Sequence, residues 1–412
     1  MKFIQEILYN TSLRIYTILL WIISPFHRKA KLWIEGRKNI FIRLEKDFKD
    51  LSDKVIWIHT ASVGEFEQAR PIIERLKSDY PQYKILLTFF SPSGYELRKN
   101  YINVDYVYYL PIDGKKNAEY FLSITNPVLA LFVKYEFWHY YIQSCKKRKI
   151  PLLSFSTILR PNQQYFKWHG SFYREILKNI TYFFVQNKET KNLLRSINIA
   201  SEIAGDTRCD QVKAIADTNK RNEIVEVFTA DTLTLIVGSA WAEDMSLLIP
   251  YINANPQYKY IIAPHEINRE KIKVEQQLIH LKCANYSLKE TVINADILYI
   301  DCIGILSQIY KYADIVYIGG AFGSGLHNIL EPAVFASPIL FGNKYNKFQE
   351  AKDLLQLGGA YSISSEEELK NQLDKLFNNP KLRKQVGDNA RNYVLKQSGA
   401  SDVIFDYIKT IL

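Results

Sequence analysis

The fold is decided by residues 55–77, which read VIWIHTASVGEFEQARPIIERLK. The first residues are mostly β-branched or aromatic, which is typical of a buried strand. Small and polar residues follow, and apolar residues then recur at helical spacing from Glu65 to Lys77. The stretch therefore predicts a buried strand, a turn of small residues and an amphipathic helix, which together form the first half of a βαβ unit.

The same alternation continues along the chain in two runs. The first run predicts strands at Val55–His59, Lys84–Phe90, Val104–Leu110, Pro127–Val133, Pro151–Phe155 and Tyr182–Gln186. The second predicts strands at Thr232–Val237, Tyr258–Ala263, Ala295–Ile300, Ile315–Ile318 and Pro338–Phe341. Alternating strands and helices imply parallel sheets covered by helices. We therefore predict an α/β protein with two Rossmann-like domains that face a cleft, where a ligand binds by default.

The predicted domain boundaries follow from these two runs. A polar, mixed stretch at residues 205–230 separates them. We predict an N-terminal helix at residues 1–27, a first Rossmann-like domain at 28–212 and a second at 213–412 that includes the C-terminal helices.

The composition excludes several classes of protein. Hydrophobic residues make up 47% of the chain and charged residues 23%, which excludes wholesale disorder, collagen and coiled coil. The four cysteines are scattered without metal-ligand spacing, so we expect neither a disulfide scaffold nor a structural zinc site. Lys and Arg number 53 against 43 for Asp and Glu, which favours an anionic partner. No nucleic-acid-binding module is recognisable, so we expect no nucleic acid partner.

The N-terminus combines an apolar segment with basic residues. Residues 15–23 read IYTILLWII, but upstream polar residues such as Glu6 and Asn10 make the segment too short for a clean membrane span. Five basic residues follow, namely Arg28, Lys29, Lys31, Arg37 and Lys38. An apolar helix with such a collar suits the cytoplasmic face of an anionic membrane, and we expect membrane contact there. The alternative is an amphipathic helix that packs on its own domain.

Ligands of parallel α/β sheets bind at the carboxyl ends of the strands. The turn after the first strand holds Ser62, Gly64 and Glu65. A carboxylate in the first turn of a helix is stabilised by the helix dipole and can accept a proton from a hydroxyl nucleophile. The alternative is a capping box formed by Ser62 and Glu65. The next turn holds Ser91 and Ser93, which can bind an anion at a helix N-terminus or act as ordinary caps.

Two turns of the second domain carry similar signals. Gly238 and Ser239 follow a predicted strand, and their backbone amides can hold a phosphate. His265 and Arg269 are four residues apart and would share one face of a helix, presenting two donors to an anionic group. The alternative for this pair is the solvated face of a surface helix.

The most informative motif begins at position 319 and reads GGAFGSGLHNILEP. Its glycines, Gly320 and Gly325 among them, allow close approach of the backbone to a ligand. Asn328 stands where a dinucleotide motif would have its third glycine. His327 and Glu331 would share a helix face, with the carboxylate on a ribose diol and the imidazole near a phosphate. The alternative is a glycine-rich turn with a core histidine.

Together these motifs resemble the bacterial 3-deoxy-D-manno-octulosonic acid (Kdo) transferases of lipopolysaccharide assembly. The similarity spans nearly the whole chain in order and is strongest in HTASVGE at 59–65 and HNILEP at 327–332. It also includes SPSG at 91–94, YEFW at 135–138 and GDTRCD at 205–210. The chain departs from the family pattern at three places. Cys209 stands for the aromatic residue that is usual in the inter-domain segment. Pro264-His265-Glu266 stands for Pro-Arg-His, and Lys134 stands for the first glutamate of Glu-x-Glu-x-Trp-Pro-Asn.

The resemblance implies a GT-B glycosyltransferase that moves Kdo from CMP-Kdo to a hydroxyl of the lipid A precursor with inversion. The first domain would bind the acceptor and the second the donor. Glu65 would be the general base, and neither a cofactor nor a metal ion would be required. The protein would lie at the cytoplasmic face of the cell inner membrane, in contact with its anionic lipid surface.

The resemblance also implies two sets of binding residues. The donor would be bound by Gly238, Ser239, His265, Arg269, Gly320, Gly325, His327, Asn328 and Glu331. The acceptor would be bound by Ser62, Gly64, Ser91, Ser93, Glu136 and Arg160.

Two alternative functions remain open at this point. One is a GT-B transferase that uses another nucleotide sugar on a membrane acceptor. The other is a catalytically inert adaptor at the membrane surface, against which the presence of Glu65 argues.

Overall fold

The computed structural model describes residues 2–218, 220–288, 292, 294–323 and 325–412, which form two compact units. The first unit comprises Met1–Asp210 and Ser398–Leu412, and the second comprises Gln211–Gln397. The predicted second domain, 213–412, therefore differs from the second unit in its C-terminal segment, which belongs to the first unit.

The sheet of the first unit is parallel throughout, as predicted. Its strands are β1 (Val55–Thr60), β2 (Lys84–Phe89), β3 (Tyr106–Tyr109), β4 (Pro127–Val133), β5 (Leu152–Thr157), β6 (Tyr182–Val185) and β7 (Ser201–Ile203). Across the sheet they run β3-β2-β1-β4-β5-β6-β7. The strand order reverses between β1 and β4, which is the switch point where such sheets bind ligands.

The sheet of the second unit is also parallel. Its strands are β8 (Thr234–Ala240), β9 (Lys259–Pro264), β10 (Cys283–Asn285), β11 (Ile297–Tyr299), β12 (Ile315–Ile318), β13 (Ile339–Gly342) and β14 (Ala360–Ile363). They run β10-β11-β9-β8-β12-β13-β14 across the sheet, so the switch point lies between β8 and β12.

Helices flank both sheets. The first unit has α1 (Lys2–Ile23), α2 (Arg28–Arg37), α3 (Ile40–Phe48), α4 (Val63–Asp79), α5 (Pro92–Arg98), α6 (Lys115–Thr125), α7 (His139–Lys147), α8 (Ser171–Lys178) and α9 (Lys188–Ser196). Then follow α10 (Thr207–Asp217), α11 (Glu223–Thr229), α12 (Ala242–Ala254), α13 (Arg269–Gln277), α14 (Leu306–Ile309), α15 (Leu330–Ala333), α16 (Gln349–Gln356), α17 (Glu366–Asn378), α18 (Pro380–Gln397) and α19 (Ala400–Ile408).

The two faces of the first sheet bury separate apolar clusters. Successive residues of β1 alternate between them, with Trp57 in one cluster and Ile56 and Ile58 in the other. Helix α19 packs into the second cluster through Ile404 and Phe405, which are fully buried. The last helix therefore completes the core of the first unit, and this packing is the physical reason for the difference from the predicted boundary.

The predicted pair of Rossmann-like sheets is confirmed, and three short strands were missed. These are β7, β10 and β14, each of which lies at an edge of its sheet. They have three or four residues and partly exposed positions, so they leave no continuous apolar run in the sequence.

Polar side chains dock helix α1 on the first unit. The Tyr9 hydroxyl donates to Asp113 Oδ2 at 2.5 Å, and Asn10 Nδ2 donates to the Tyr140 hydroxyl at 2.7 Å. The Asp113 carboxylate also accepts from the backbone N–H of Tyr140 and of Tyr141. Burial raises the pKa of Asp113 to about 6, although these hydrogen bonds oppose the shift. Asn10, one of the polar residues that interrupt the apolar pattern, thus helps Tyr9 to hold the helix to its domain.

The opposite face of α1 is apolar and exposed. It presents Ile4, Leu8, Ile15, Ile18, Trp21 and Ile22, with Trp21 66% exposed. None of the described helices alone is long and apolar enough to span a membrane. Helices α1 and α2 reach that length and hydropathy only when they are taken together, and the pair is bent by 117° at the break between them.

One member of the basic collar points inward. The Arg37 guanidinium lies 3.9 Å from the centre of the Trp33 ring and donates to the carbonyl oxygens of Leu110 and Phe90. Burial lowers its pKa. Arg28, by contrast, is exposed, as are Lys29, Lys31 and Lys38. Arg37 is therefore a structural residue, and the collar consists of the other four.

Candidate active site

The carboxyl end of β1 places Glu65 in the first turn of α4. Ser62 precedes the helix in an extended conformation and makes no capping bond to the backbone. Its hydroxyl instead donates to Glu65 Oε2. A Cβ at Gly64 would have only the Ser62 hydroxyl within 4 Å, so the surface beside Glu65 is open. The geometry therefore differs from a capping box and leaves the carboxylate directed by a side chain.

The neighbouring strand β4 places Lys134 beside Glu65. The Lys134 Nζ lies 3.8 Å from Glu65 Oε1, and the two side chains are 19% and 12% exposed. The switch point brings them together, because β1 and β4 are adjacent and end at the same edge. Lys134 was not among the predicted site residues. Its position directly after a predicted strand was the available signal.

Glu136, which the resemblance assigns to the acceptor, lies two residues after Lys134. The Trp138 indole N–H points to both Glu136 Oε2, at 3.1 Å, and His59 Nε2, at 3.0 Å. His59 is fully buried, and its Nδ1 lies 2.9 Å from the Thr88 hydroxyl. The partly buried Trp138 and the buried residues His59 and Thr88 therefore form a support for the Glu136 carboxylate.

The charges of three predicted site residues act on the hydroxyl of Tyr135. Burial raises the pKa of its hydroxyl, the charges of Glu65 and Glu136 raise it further, and Arg160 lowers it. These charged groups therefore lie within range of one another around the Tyr135 ring. Arg160 itself is exposed.

Ser91 and Ser93 form a helix cap. Ser91 Oγ accepts from the Ser93 backbone N–H at 3.3 Å, and its own N–H donates to the carbonyl of Ala61 at 2.8 Å. A Cβ at Gly94 would lie 3.2 Å from the Ser62 carbonyl carbon. The start of α5 is therefore packed on the Ser62 turn, and its contact with an acceptor stays a prediction.

A buried ion pair lies in the same unit. Arg208 binds Asp206 through Nε and Nη2, and Gln68 donates to the same carboxylate at 3.0 Å. Burial opposes the charge of Asp206. The attraction of Arg208 and then of Lys134, with these hydrogen bonds, nevertheless holds its pKa below the ordinary value. Lys134 thus has Glu65 and Asp206 as neighbouring negative charges.

In the second unit, three rings gather at the carboxyl ends of β8 and β9. The Trp241 indole stacks on His265 with centroids 4.3 Å apart, and His265 lies 4.5 Å from His327. Trp241 Nε1 donates to His327 Nε2 at 3.0 Å. Burial lowers the pKa of His327 to about 4, and the charge of His265 contributes. A neutral His327 that accepts at Nε2 carries its proton on Nδ1, where it can donate to a ligand.

Asp244 fixes the turns on both sides of this switch point. Oδ2 accepts from the N–H of Gly320 at 2.9 Å and from that of Trp241 at 3.0 Å. Oδ1 accepts from the Tyr317 hydroxyl at 2.9 Å. This role of Asp244 was not predicted. An acidic residue three positions into a helix after a small-residue turn was the signal that could have found it.

The structure corrects the prediction for Gly238 and Ser239. Both lie inside β8 at a bulge, with Ser239 at φ +53°, and α12 starts only at Ala242. A side chain at Gly238 would collide with the Tyr310 hydroxyl. Gly238 is therefore required by packing within the unit, since Tyr310 occupies the space that a side chain at Gly238 would need.

The glycine-rich loop after β12 folds back on itself. Gly325 N–H donates to the carbonyl of Gly320 at 3.0 Å, and the two residues have φ of +128° and +93°. A side chain at Gly320 would collide with the Gly325 carbonyl oxygen, so glycine is required there. The Gly320 N–H is bound to Asp244 and is not free for a phosphate. Ser324, within the quoted motif, lies outside the described residues.

His327 and Glu331 are not on one helix face as predicted. Helix α15 begins only at Leu330, so His327 belongs to the loop before it. Asn328 Nδ2 donates to Glu331 Oε1 at 3.0 Å, which joins two predicted donor residues. The negative charge of Glu331 also raises the pKa of Tyr310, after burial.

The predicted helix face shared by His265 and Arg269 is also wrong. Helix α13 begins at Arg269, and Asn268 caps it by accepting from the N–H groups of Glu270 and Lys271. Because the chain from 265 to 268 is irregular, the two side chains do not share a helix face. Arg269 is exposed at the helix start. In the described ranges, no three His, Cys, Asp or Glu side chains are grouped to hold a metal ion.

The first unit matches one protein family. Residues 36–211 match the model of the 3-deoxy-D-manno-octulosonic-acid transferases, or kdotransferases. The 3-deoxy-D-manno-octulosonic acid transferase of Rickettsia prowazekii strain Madrid E is 26% identical over 398 residues, which is 93% of this chain and 83% of that protein. The enzyme of the same name from Aquifex aeolicus strain VF5 is 25% identical over 78% of this chain and 86% of its own.

Solved structures share the fold. The UDP-GlcNAc 2-epimerase of Neisseria meningitidis has a TM-score of 0.62 at 16% identity, covering 87% of this chain and all of its own. MurG of Acinetobacter baumannii has a TM-score of 0.57 at 14% identity, covering 87% and 99%. The predicted GT-B fold is thereby confirmed. By its sequence motifs, its matched N-terminal unit and relatives of about a quarter identity over most of its length, this chain is similar to the 3-deoxy-D-manno-octulosonic acid transferases.

Proposed function

We propose that this protein transfers Kdo from CMP-Kdo to a hydroxyl of the lipid A precursor, with inversion at the anomeric carbon. The observation that carries the proposal is the Glu65 carboxylate at the switch point of the first sheet. Ser62 directs it, and it lies in the first turn of α4 beside open surface at Gly64. A general base needs such a directed, accessible carboxylate.

The reaction can be written with Glu65 as base. The acceptor hydroxyl gives its proton to the Glu65 carboxylate while its oxygen forms a bond to the anomeric carbon of Kdo. The bond between that carbon and the phosphate oxygen of CMP breaks, and CMP leaves with the electron pair. Because attack and departure take place on opposite faces, the configuration inverts. The helix dipole of α4 favours the charged carboxylate before the proton is taken.

The second unit supplies groups that suit a nucleoside monophosphate. His327 can donate through Nδ1, and the Asn328–Glu331 pair offers a carboxylate to a ribose diol. Gly320 and Gly325 keep the adjoining loop free of side chains. Arg269 is exposed and available for a phosphate. We propose that these residues, with His265, bind the donor.

We propose that the transfer requires no divalent metal ion. CMP leaves as a phosphate monoester, and its developing charge can be met by hydrogen-bond donors and cationic side chains. Addition of a chelator is the direct check.

We propose that the protein works at the cytoplasmic face of the inner membrane. The exposed apolar face of α1, with Ile18 and Trp21, and the basic residues Arg28 and Lys31 support this placement. Apolar area on one helix face together with neighbouring cations is the pattern of helices that lie in the membrane interface.

The test is acceptor-dependent turnover of a defined donor. CMP-Kdo is incubated with detergent-dispersed lipid A precursor and a chelator, and both CMP and the glycosylated lipid are quantified. UDP-GlcNAc is supplied in parallel as the control donor. We expect CMP and product in equal amounts from CMP-Kdo and none from UDP-GlcNAc.

Each alternative gives a different outcome. Turnover of UDP-GlcNAc without turnover of CMP-Kdo would replace the donor assignment by that of another nucleotide-sugar transferase. Binding of the lipid without turnover of either donor would favour the inert adaptor.

A further inference from the structure

Lys134 lies beside the proposed base, yet it has no role in the proposed mechanism. Its Nζ is 3.8 Å from Glu65 Oε1, which is too long for a direct hydrogen bond. Across the described residues this ammonium makes no shorter polar contact, although its side chain is only 19% exposed. A largely buried cation with unfilled donors is suited to bind an anion.

The position of Lys134 is well fixed. Its backbone N–H donates to the carbonyl of Phe155 at 2.9 Å, and its own carbonyl accepts from the Ser154 hydroxyl at 3.3 Å. The residue has φ +57°, in the left-handed region that residues with a side chain rarely adopt. Such strain persists where the surrounding structure imposes it, and it clusters at ligand-binding sites.

The donor sugar brings its own anion to this place. Kdo is a sugar acid in which a carboxylate is bonded to the anomeric carbon. In the reaction the base lies about 3 Å from the attacking oxygen, and that oxygen approaches the anomeric carbon to about 3–3.5 Å. The carboxylate carbon of the donor is one bond further, about 1.5 Å, so it lies at most about 8 Å from the Glu65 carboxylate. Lys134 lies inside that range.

We propose that Lys134 binds the carboxylate of the Kdo donor. Glu65 and Glu136 already place two carboxylates at this edge, so a third would be repelled unless a cation accompanied it. The Lys134 ammonium can contact the carboxylate of the donor and still attract Glu65. Its positive charge between the two anions offsets their mutual repulsion. The inference rests on the proposed function. The family pattern has glutamate at this position, so the contact is a property of this chain.

The test compares the donor CMP-Kdo with an inhibitory analogue of it, in four proteins. The KM of CMP-Kdo is measured together with the inhibition constant of an analogue whose carboxylate is converted to a carboxamide. The proteins are the wild type, Lys134→Ala, Lys134→Arg and Lys149→Ala. Lys149 is the matched control, because it also has a positive φ, of +59°, but is exposed at the end of α7.

We expect Lys134→Ala to raise the KM of CMP-Kdo about ten- to hundredfold, as for loss of a hydrogen bond to a charged group. The inhibition constant of the carboxamide should stay unchanged, and Lys134→Arg should restore most of the KM. Lys149→Ala should match the wild type. Affinity for CMP and thermal unfolding are measured for each variant. If Lys134→Ala does not fold, the longer Lys134→Gln replaces it.

The outcomes separate this inference from the proposed function. The inference alone would be overturned if the wild type turns over CMP-Kdo but Lys134→Ala changes the KM of CMP-Kdo and the inhibition constant of the carboxamide equally, or changes neither. A wild-type protein that never turns over CMP-Kdo would overturn the proposed function and this inference with it.

Discussion

The hydroxyl of Ser62 donates to the carboxylate of Glu65 across the start of helix α4. A serine before a helix ordinarily accepts from a backbone N–H of the first turn, and this one makes no such bond. The hydroxyl is thus used to direct a side chain. This relationship distinguishes a positioned base from an ordinary helix cap.

Replacing Ser62 by alanine should lower kcat about tenfold and leave thermal unfolding unchanged. The variant frees the Glu65 carboxylate to rotate, but it removes no capping bond. Ser365→Ala is the matched control, because Ser365 does cap its helix by accepting from Glu368 N–H at 3.2 Å. That control should lose about 1 kcal/mol of stability and keep its kcat. A Ser62→Ala protein with lower stability and normal kcat would restore the capping explanation.

Asp244→Asn should weaken CMP binding tenfold or more, as measured by calorimetry. The carboxylate accepts three hydrogen bonds, and an amide of the same shape has one oxygen to accept them and would direct an N–H at a donor. Tyr317→Phe removes a single bond and should have a smaller effect, of about 1 kcal/mol on stability. An Asp244→Asn protein that unfolds earlier but binds CMP normally would show that the carboxylate only stabilises the unit.

His327 should make stability depend on pH in a defined direction. Burial lowers its folded-state pKa from 6.5 to about 4. As pH falls below 6.5 the unfolded chain takes up the proton first, so the stabilisation is fully present above 6.5 and is lost towards pH 4. Urea unfolding of the wild type and His327→Gln should therefore differ less at about pH 5 than at about pH 7. A difference that stays constant with pH would contradict a buried neutral imidazole.

The exposed face of α1 should decide binding to lipid vesicles. The double substitution of Ile18 and Trp21 by glutamine should lower affinity for anionic phospholipid vesicles at least about a hundredfold, because each apolar side chain contributes about 1.5–3 kcal/mol. Flotation of vesicles measures the bound fraction. Ile303→Gln, at another highly exposed apolar residue, is the control and should bind as the wild type does. Unchanged flotation of the double variant would remove α1 from the membrane assignment.

The sequence was sufficient for the features that local patterns encode. Buried strands such as β1 and β4 are continuous apolar runs, so the parallel sheets and the turn that carries Glu65 could be predicted. Glu136 was named through the family resemblance alone, and its role in binding the acceptor stays a prediction. The docking of α1 and the packing of α19 depend on contacts between distant parts of the chain, which local periodicity does not contain.

The predictions that were wrong or missing have specific physical causes, most of them in the second unit. His327 and Glu331 were assigned to one helix, but the compact glycine loop runs on until Leu330. Gly238 was assigned to a ligand turn, but its lack of a side chain accommodates Tyr310. Lys134 was not predicted, because its place after a strand was the one signal in the sequence, and its left-handed backbone and its approach to Glu65 leave no local pattern. In each case the conformation is set by tertiary packing and not by local residue preference.

The central claim is that Glu65 takes the proton from the acceptor. The most direct measurement is acceptor-dependent release of CMP from CMP-Kdo by the wild type and by Glu65→Gln, side by side and with chelator present. We predict a loss of about a hundredfold or more in Glu65→Gln, with affinity for CMP and thermal unfolding unchanged. A Glu65→Gln protein that releases CMP at the wild-type rate would contradict the assignment of Glu65 as the base.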